Sequence, residues 1–178
     1  PMPAAYIVGG PPVVAYVAPQ KLPIDVDELG VAGALAGAPV EVVRGKTVEL
    51  LVPAASEYVI EGFIRTDVLE PEGPFGESHG HVALEEYSFV MEVSAITHRR
   101  APIFQSIISQ VTPSESSVIK RVAYEPLFLA HLRGALGLRG VKRVFMHEPL
   151  TNLRPVIILQ VVPEYPKAEV WRALQGVA

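Results

Sequence analysis

An α+β fold is expected for this chain, with an antiparallel β region over residues 1–112 and the opening of an α/β domain over 113–178. Three observations point there. Between residues 40 and 108, short runs carry an apolar residue at every second position. Gly and Pro cluster between those runs, as turn residues do. After Pro113 the apolar spacing becomes helical, and two strand-like runs and another helical run follow.

The elements are read in chain order. Residues 4–18 are apolar and broken by Gly9, Gly10, Pro11 and Pro12. They suggest a strand, a turn and a second apolar element, either helix or strand. Asp25 is placed to cap a helix over 26–36, which Gly37 and Pro39 would stop. Val40 and Val42, then Val48, Leu50 and Val52, alternate with charged residues around a hairpin turn at Arg44, Gly45 and Lys46. Residues 57–66 suggest a strand with Tyr58, Ile60 and Phe63 among its buried candidates. Residues 70–80 are rich in Gly and Pro and suggest a loop. Residues 87–97 and 102–108 suggest two further strands. The β region is then a barrel or a folded sheet. Ser114 or Ser116 would cap a helix carrying Ile119, Val122, Ala123, Leu127, Ala130 and His131, with Pro126 as a kink or break. Residues 138–140 would end it. Strands are expected at 141–147 and 155–162, and a helix at 167–174.

Composition narrows the function classes. The 178 residues suffice for one domain, or one and part of another. At 49% hydrophobic residues a real core is possible. A net charge of −4 argues against a nucleic-acid-binding module. The lack of cysteine excludes disulfides and zinc–thiolate sites. No apolar run reaches bilayer-spanning length, and the N-terminus lacks the pattern of a signal peptide. A cytoplasmic protein is expected. The start at Pro1, without Met, suggests a cut chain.

The segment with the most chemistry is Pro71-Glu72-Gly73-Pro74-Phe75-Gly76-Glu77-Ser78-His79-Gly80. Glu72 and Glu77 lie five apart on a stiff loop. Spacing alone favours a surface loop with two solvated glutamates. If both carboxyls instead face one enclosed site, their pKa values move apart, and one serves as acid while the other stays ionised. Decarboxylation needs such a proton donor and an oriented charge. His79 and His81 could share a strand face, but no third ligand with convincing spacing follows, so zinc is disfavoured. His98 reads as a packing and hydrogen-bonding residue rather than a base. The turn at residues 9–12 is a weak phosphate nest, because its two prolines lack N–H groups.

Residues 72–77 read EGPFGE, which resembles the corresponding loop of UbiD-type decarboxylases. Other blocks agree in order. Val52-Pro53-Ala54 with Glu57 and Val59-Ile60-Glu61-Gly62 resembles the family's "VPA…E.VIEG" strand. Ala95 to Arg99 with Pro102 and Ile103 resembles its "ITHR…PI" strand, and Asp27-Glu28-Leu29 with Ala32 to Leu35 its "DE…AGAL" helix.

This resemblance implies a central split β-barrel, like flavin-binding split barrels, followed by the start of a C-terminal α/β domain. It implies a lyase: a reversible, non-oxidative decarboxylase of aromatic or α,β-unsaturated carboxylic acids that uses prenylated FMN. In the family's mechanism a cycloaddition of flavin and substrate double bond precedes CO₂ loss and protonation; the cofactor carries the hard chemistry. Glu72 matches the Glu that pairs with an Arg in a Glu–Arg–Glu network, and Glu77 the proton donor. Glu28 matches the Glu that, with an Asn and a His, binds a divalent metal; Mn²⁺ is the first candidate and K⁺ a further ion. Without the resemblance, Glu28 reads as a helix-dipole residue. The Arg, Asn and His have no match in this chain; Arg44 and Arg65 do not fit the motif. A missing N-terminal domain or subunit would supply them, and this chain alone would be inactive. Flavin contacts fall near the segment preceding the "DE" helix and are not assigned individually, because a small gap around residues 18–23 leaves the register open. The position after Gly80, often aromatic in the family, is His81 here. A flavin prenyltransferase would supply the cofactor, and a homo-oligomer is expected. Two alternatives stay open: a non-catalytic assembly subunit, and a free-standing flavin-binding split barrel. The helix bearing Tyr124, Glu125, Pro126, Leu127 and Phe128 could line a pocket, although its spacing favours core.

Overall fold

The computed structural model describes residues 1–20, 22–76, 82–108, 113–147 and 156–177. It is a mixed α/β structure whose paired strands are antiparallel wherever register is defined. The chain divides into two compact units, 1–75 with 83–106, and 76–82 with 107–178.

The first unit is built on a three-stranded sheet. Strand β1 (Met2–Val8) runs against the start of a long strand. Gly9, with φ of 70°, and Gly10 turn the chain into helix α1 (Pro12–Val17), which has proline at its first position, where a missing N–H costs nothing. The second apolar element is therefore a helix. Helix α2 (Glu28–Ala36) starts later than expected. Asp27, not Asp25, caps it, accepting from Gly30 N at 2.8 Å. The residues before it are held in a turn, with Val26 N donating to Pro23 O at 3.0 Å. Gly37, at φ of 71°, ends the helix as its left-handed cap.

Strands β2 (Val42–Arg44) and β3 (Leu51–Pro53) pair in register from Val42↔Pro53 to Arg44↔Leu51. The connection is wider than the predicted three-residue turn at Arg44, Gly45 and Lys46. It runs from Gly45 to Leu50, because a buried carboxylate collects the backbone N–H groups of Lys46, Thr47 and Val48.

That carboxylate is Glu61, on strand β4 (Tyr58–Glu72). Along β4, Val59, Glu61 and Gly62 are buried, Tyr58 and Ile60 are half-buried, and Phe63 is exposed. The expected burial of Phe63 is corrected: the inward side is the one that carries Glu61. A bulge between Glu61 and Gly62 then breaks the alternation. Strand β4 also runs past the predicted boundary. Glu70, Pro71 and Glu72 pair with Ser88, Tyr87 and Glu86 of β7 (Glu86–His98), so the expected loop at 70–80 begins as strand. Pro71 is tolerated because β1 stops pairing at Ile64, leaving β4 an edge strand beyond it.

Two short strands, β5 (Phe75–Gly76) and β6 (Val82–Ala83), pair next. Residues 102–108 are not the strand expected. Ile103 N donates to the Glu57 carboxylate at 3.1 Å instead of joining a ladder. Among the described residues the strands form four separate sheets, in the order β1-β4-β7 for the largest, and none closes into a barrel.

In the second unit, helix α3 (Glu115–Ala130) is capped by Ser114, which exchanges hydrogen bonds with Ser117 in a capping box. The helix runs through Pro126 and widens into a π-helical turn over His131–Ala135, where Leu136 N donates to His131 O. Strands β8 (Val141–Met146) and β9 (Ile157–Val161) pair antiparallel, and helix α4 (Lys167–Gln175) follows. Leu132, Leu138, Val141, Val144 and Ala173 form a fully buried apolar cluster. Each of its larger side chains contributes about 1.5–3 kcal/mol by leaving water.

Candidate active-site loop and metal-ligand position

Glu72 is the last residue of β4 and is exposed. Ser88 Oγ, on β7, donates to its Oε2 at 2.9 Å. Glu72 lies opposite Glu86 in the ladder. Two carboxylates directly across an antiparallel pair repel each other. The Ser88 hydrogen bond offsets part of that repulsion and holds one oxygen of Glu72. Gly73 has open space where a Cβ would sit, and Pro74 fixes a backbone angle before β5. Glu77, His79 and His81 lie outside the described residues.

Glu28 opens α2 and is exposed. The neighbouring Asp27 carboxylate is engaged as the helix cap, whereas Glu28 forms no hydrogen bond or ion pair among the described residues. A free carboxylate suits a hard divalent cation. Among the described residues no three His, Cys, Asp or Glu gather to hold a metal, so Glu28 would be one ligand of a set completed elsewhere. No bond or ion pair joins Glu28 to Glu72. The open groove of about 620 Å³ beside α2 is lined by small residues, including Gly30, Gly33 and Ala34, and Glu28 is not among its lining.

The segment between α1 and α2 carries one observation that bears on a cofactor. Gln20 Nε2 donates to Tyr16 O at 2.8 Å, while its Oε1 is buried without a partner among the described residues. A buried acceptor left unpaired costs about 1–3 kcal/mol. An N–H or O–H of a bound ligand would fill it, so this segment fits a polar cofactor edge.

Sequence reasoning missed three features. Ser88 has no motif that ties it to Glu72. The "E.VIEG" and "ITHR…PI" blocks prove to be one clamp: Glu57 Oε1 lies 3.5 Å from Arg99 Nη1, and its Oε2 accepts from Ile103 N. Glu61 was legible only as a motif letter. Its pKa is lowered, first by the Lys46 and Thr47 N–H groups, against the opposing effect of burial. Arg65 is bound to Asp67 and Glu92 at 2.7 and 2.6 Å on the surface.

Comparison with known proteins places these features in a family. A protein-family model described as "3-octaprenyl-4-hydroxybenzoate carboxy-lyase Rift-related domain" (UbiD) matches residues 1–111. Pyrrole-2-carboxylic acid decarboxylase of Pseudomonas aeruginosa is 40% identical over 126 residues, which are 67% of this chain and 24% of that protein. An evolved dimeric form of the UbiD-class enzyme HmfF from Pelotomaculum thermopropionicum, solved with prFMN, superposes with a TM-score of 0.86 at 31% identity. The match covers 98% of this chain and 39% of that one. Vanillic acid decarboxylase of Sedimentibacter hydroxybenzoicus, in open form, gives a TM-score of 0.84 at 27% identity, covering 97% and 37%. The chain thus spans about a quarter of the curated relative and under two-fifths of these structures. Among the described residues no helix is long and apolar enough to cross a membrane.

Proposed function

The chain belongs to the UbiD family, and from that membership we propose that it is part of a non-oxidative decarboxylase of aromatic or α,β-unsaturated carboxylic acids. One observation carries the reading. Nearly the whole chain superposes on a UbiD-class enzyme that holds prFMN. The proposal includes a split-barrel region over 1–112, the start of an α/β domain over 113–178, and work in the cytoplasm.

Prenylated FMN would supply the electron sink that makes carbon–carbon cleavage accessible. The chain's own residues do the rest. Glu72, held by Ser88, accepts hydrogen bonds from an Arg of a preceding domain or partner subunit and fixes that cation beside the substrate carboxylate. Glu77 gives a proton to the carbon that CO₂ leaves. Glu28 would be one carboxylate ligand of a divalent cation, with Mn²⁺ the first choice, whose charge would offset that of the flavin phosphate. Gln20 Oε1, without a partner among the described residues, supports placing a cofactor edge in the segment before α2. The functional protein is a homo-oligomer and takes its cofactor from a flavin prenyltransferase.

The test is the absorbance spectrum and native mass of the chain co-expressed with a flavin prenyltransferase and the remainder of the enzyme. Bound prenylated flavin, with turnover lost in Glu72→Gln and Glu77→Gln, is the expected result. A colourless assembly overturns the cofactor reading. One second reading is a non-catalytic assembly module. Such a module would tolerate both Gln changes.

A further inference from the structure

A second pocket lies in the first unit. It has a volume of about 290 Å³, at the lower end of ligand-sized cavities. The β2–β3 hairpin, the start of β4 and the end of β7 enclose it. Its wall is apolar, formed by Val43, Val52, Pro53, Ala54 and Val59, and its rim carries Arg44, Lys46, His98 and Arg99. Glu28 and Glu72 do not line it.

The charges of this rim are largely unspent. Arg44 and Lys46 form no ion pair among the described residues. Arg99 makes a single 3.5 Å contact with Glu57, leaving its other guanidinium edge available. The one carboxylate in the lining, Glu61, already has both oxygens occupied by backbone N–H groups of Lys46, Thr47 and Val48. Three cations face two carboxylates, Glu61 in the lining and Glu57 beside Arg99, so an excess of positive charge remains that attracts an anion.

We propose that this pocket, which neither Glu28 nor Glu72 lines, is a binding site for a small carboxylic acid with an apolar body. The carboxylate is held by Arg44, Lys46 and Arg99, and the body rests on Val52, Pro53 and Val59. The modest excess of positive charge suits a monoanion better than a dianion. The apolar wall gives nothing to a bare inorganic anion. Arginine's planar fork matches a carboxylate in two-point fashion.

The experiment follows the backbone amide resonances of the 178-residue chain as benzoate is added. Saturable shifts are expected at Val43, Val52, Ala54 and Thr97. The Arg44→Gln/Lys46→Gln double variant changes two exposed, unpaired side chains, so the fold is kept. It should weaken binding about tenfold or more, since each lost charge-assisted contact is worth roughly that factor. Inorganic phosphate should fail to displace benzoate at equal concentration. The site is refuted if no saturable shift occurs at these amides, or if affinity is unchanged in the double variant. It is also refuted if phosphate competes equally, which would leave only a bare anion site. Shifts confined to residues 28 and 72–76 would favour the decarboxylase reading while removing this site, so the two fail separately.

Discussion

Glu61 holds Thr47 twice: its Oε2 accepts the backbone N–H at 2.7 Å and the side-chain hydroxyl at 3.1 Å. With Lys46 N on the other oxygen at 2.9 Å, one buried carboxylate closes a loop fourteen positions away. Thr47 Oγ1 in turn meets Ser94 Oγ at 2.6 Å, and so ties the loop to β7.

Glu61→Gln keeps the shape but turns an N–H₂ toward donors. It should lower stability by about 1–3 kcal/mol at pH 7, read by urea denaturation. The pH dependence has a defined sign. The folded pKa lies below the usual 4.5, so this stabilisation is full above that value and is lost as pH falls through the folded pKa. The gap between wild type and variant should therefore shrink on acidification. A gap that grows would contradict the role given to Glu61.

Gly62 is buried at the β4 bulge, where a Cβ would run into the backbone carbonyl of Glu92. Backbone cannot rotate aside as a side chain can. Gly62→Ala should cost about 1–3 kcal/mol or more through overpacking and should lower the unfolding temperature of the first unit. An unchanged melting curve would show that the β4–β7 pairing shifts freely.

On the surface, Arg65 donates to Asp67 through Nε and Nη2 at 2.8 and 2.7 Å. These bonds hold the Asp67 carboxyl at about 2, below its usual 3.8. Arg65→Gln should return it toward 3.8, as measured by a side-chain carboxyl NMR titration. Little change in global stability is expected, because exposed ion pairs contribute little.

Ser88→Ala tests how Glu72 is held. In the complete enzyme it should lower kcat by roughly tenfold with KM nearly unchanged, the size of one charge-assisted hydrogen bond. Ser88→Thr should restore most of the loss. A large rise in KM alone would move Ser88 from orienting Glu72 to binding substrate.

Local signals were enough for the elements whose causes lie within a few residues. Gly37 ends α2, Ser114 caps α3, and short apolar-rich runs mark β8 and β9. Motif letters, together, were enough for the family. The rest depends on partners far apart in the chain. Burial of Glu61 could not be read from alternation, since a carboxylate at an inward position normally argues against a core; backbone N–H groups of residues 46–48 reverse that by satisfying it. The extension of β4 through Pro71 needs the free edge left where β1 ends. The loss of a strand at 102–108 reflects Glu57, which takes Ile103 N from across forty-six positions. Chemistry that one segment carries is written in that segment, while burial, edges and long-range hydrogen bonds exist only once distant segments meet.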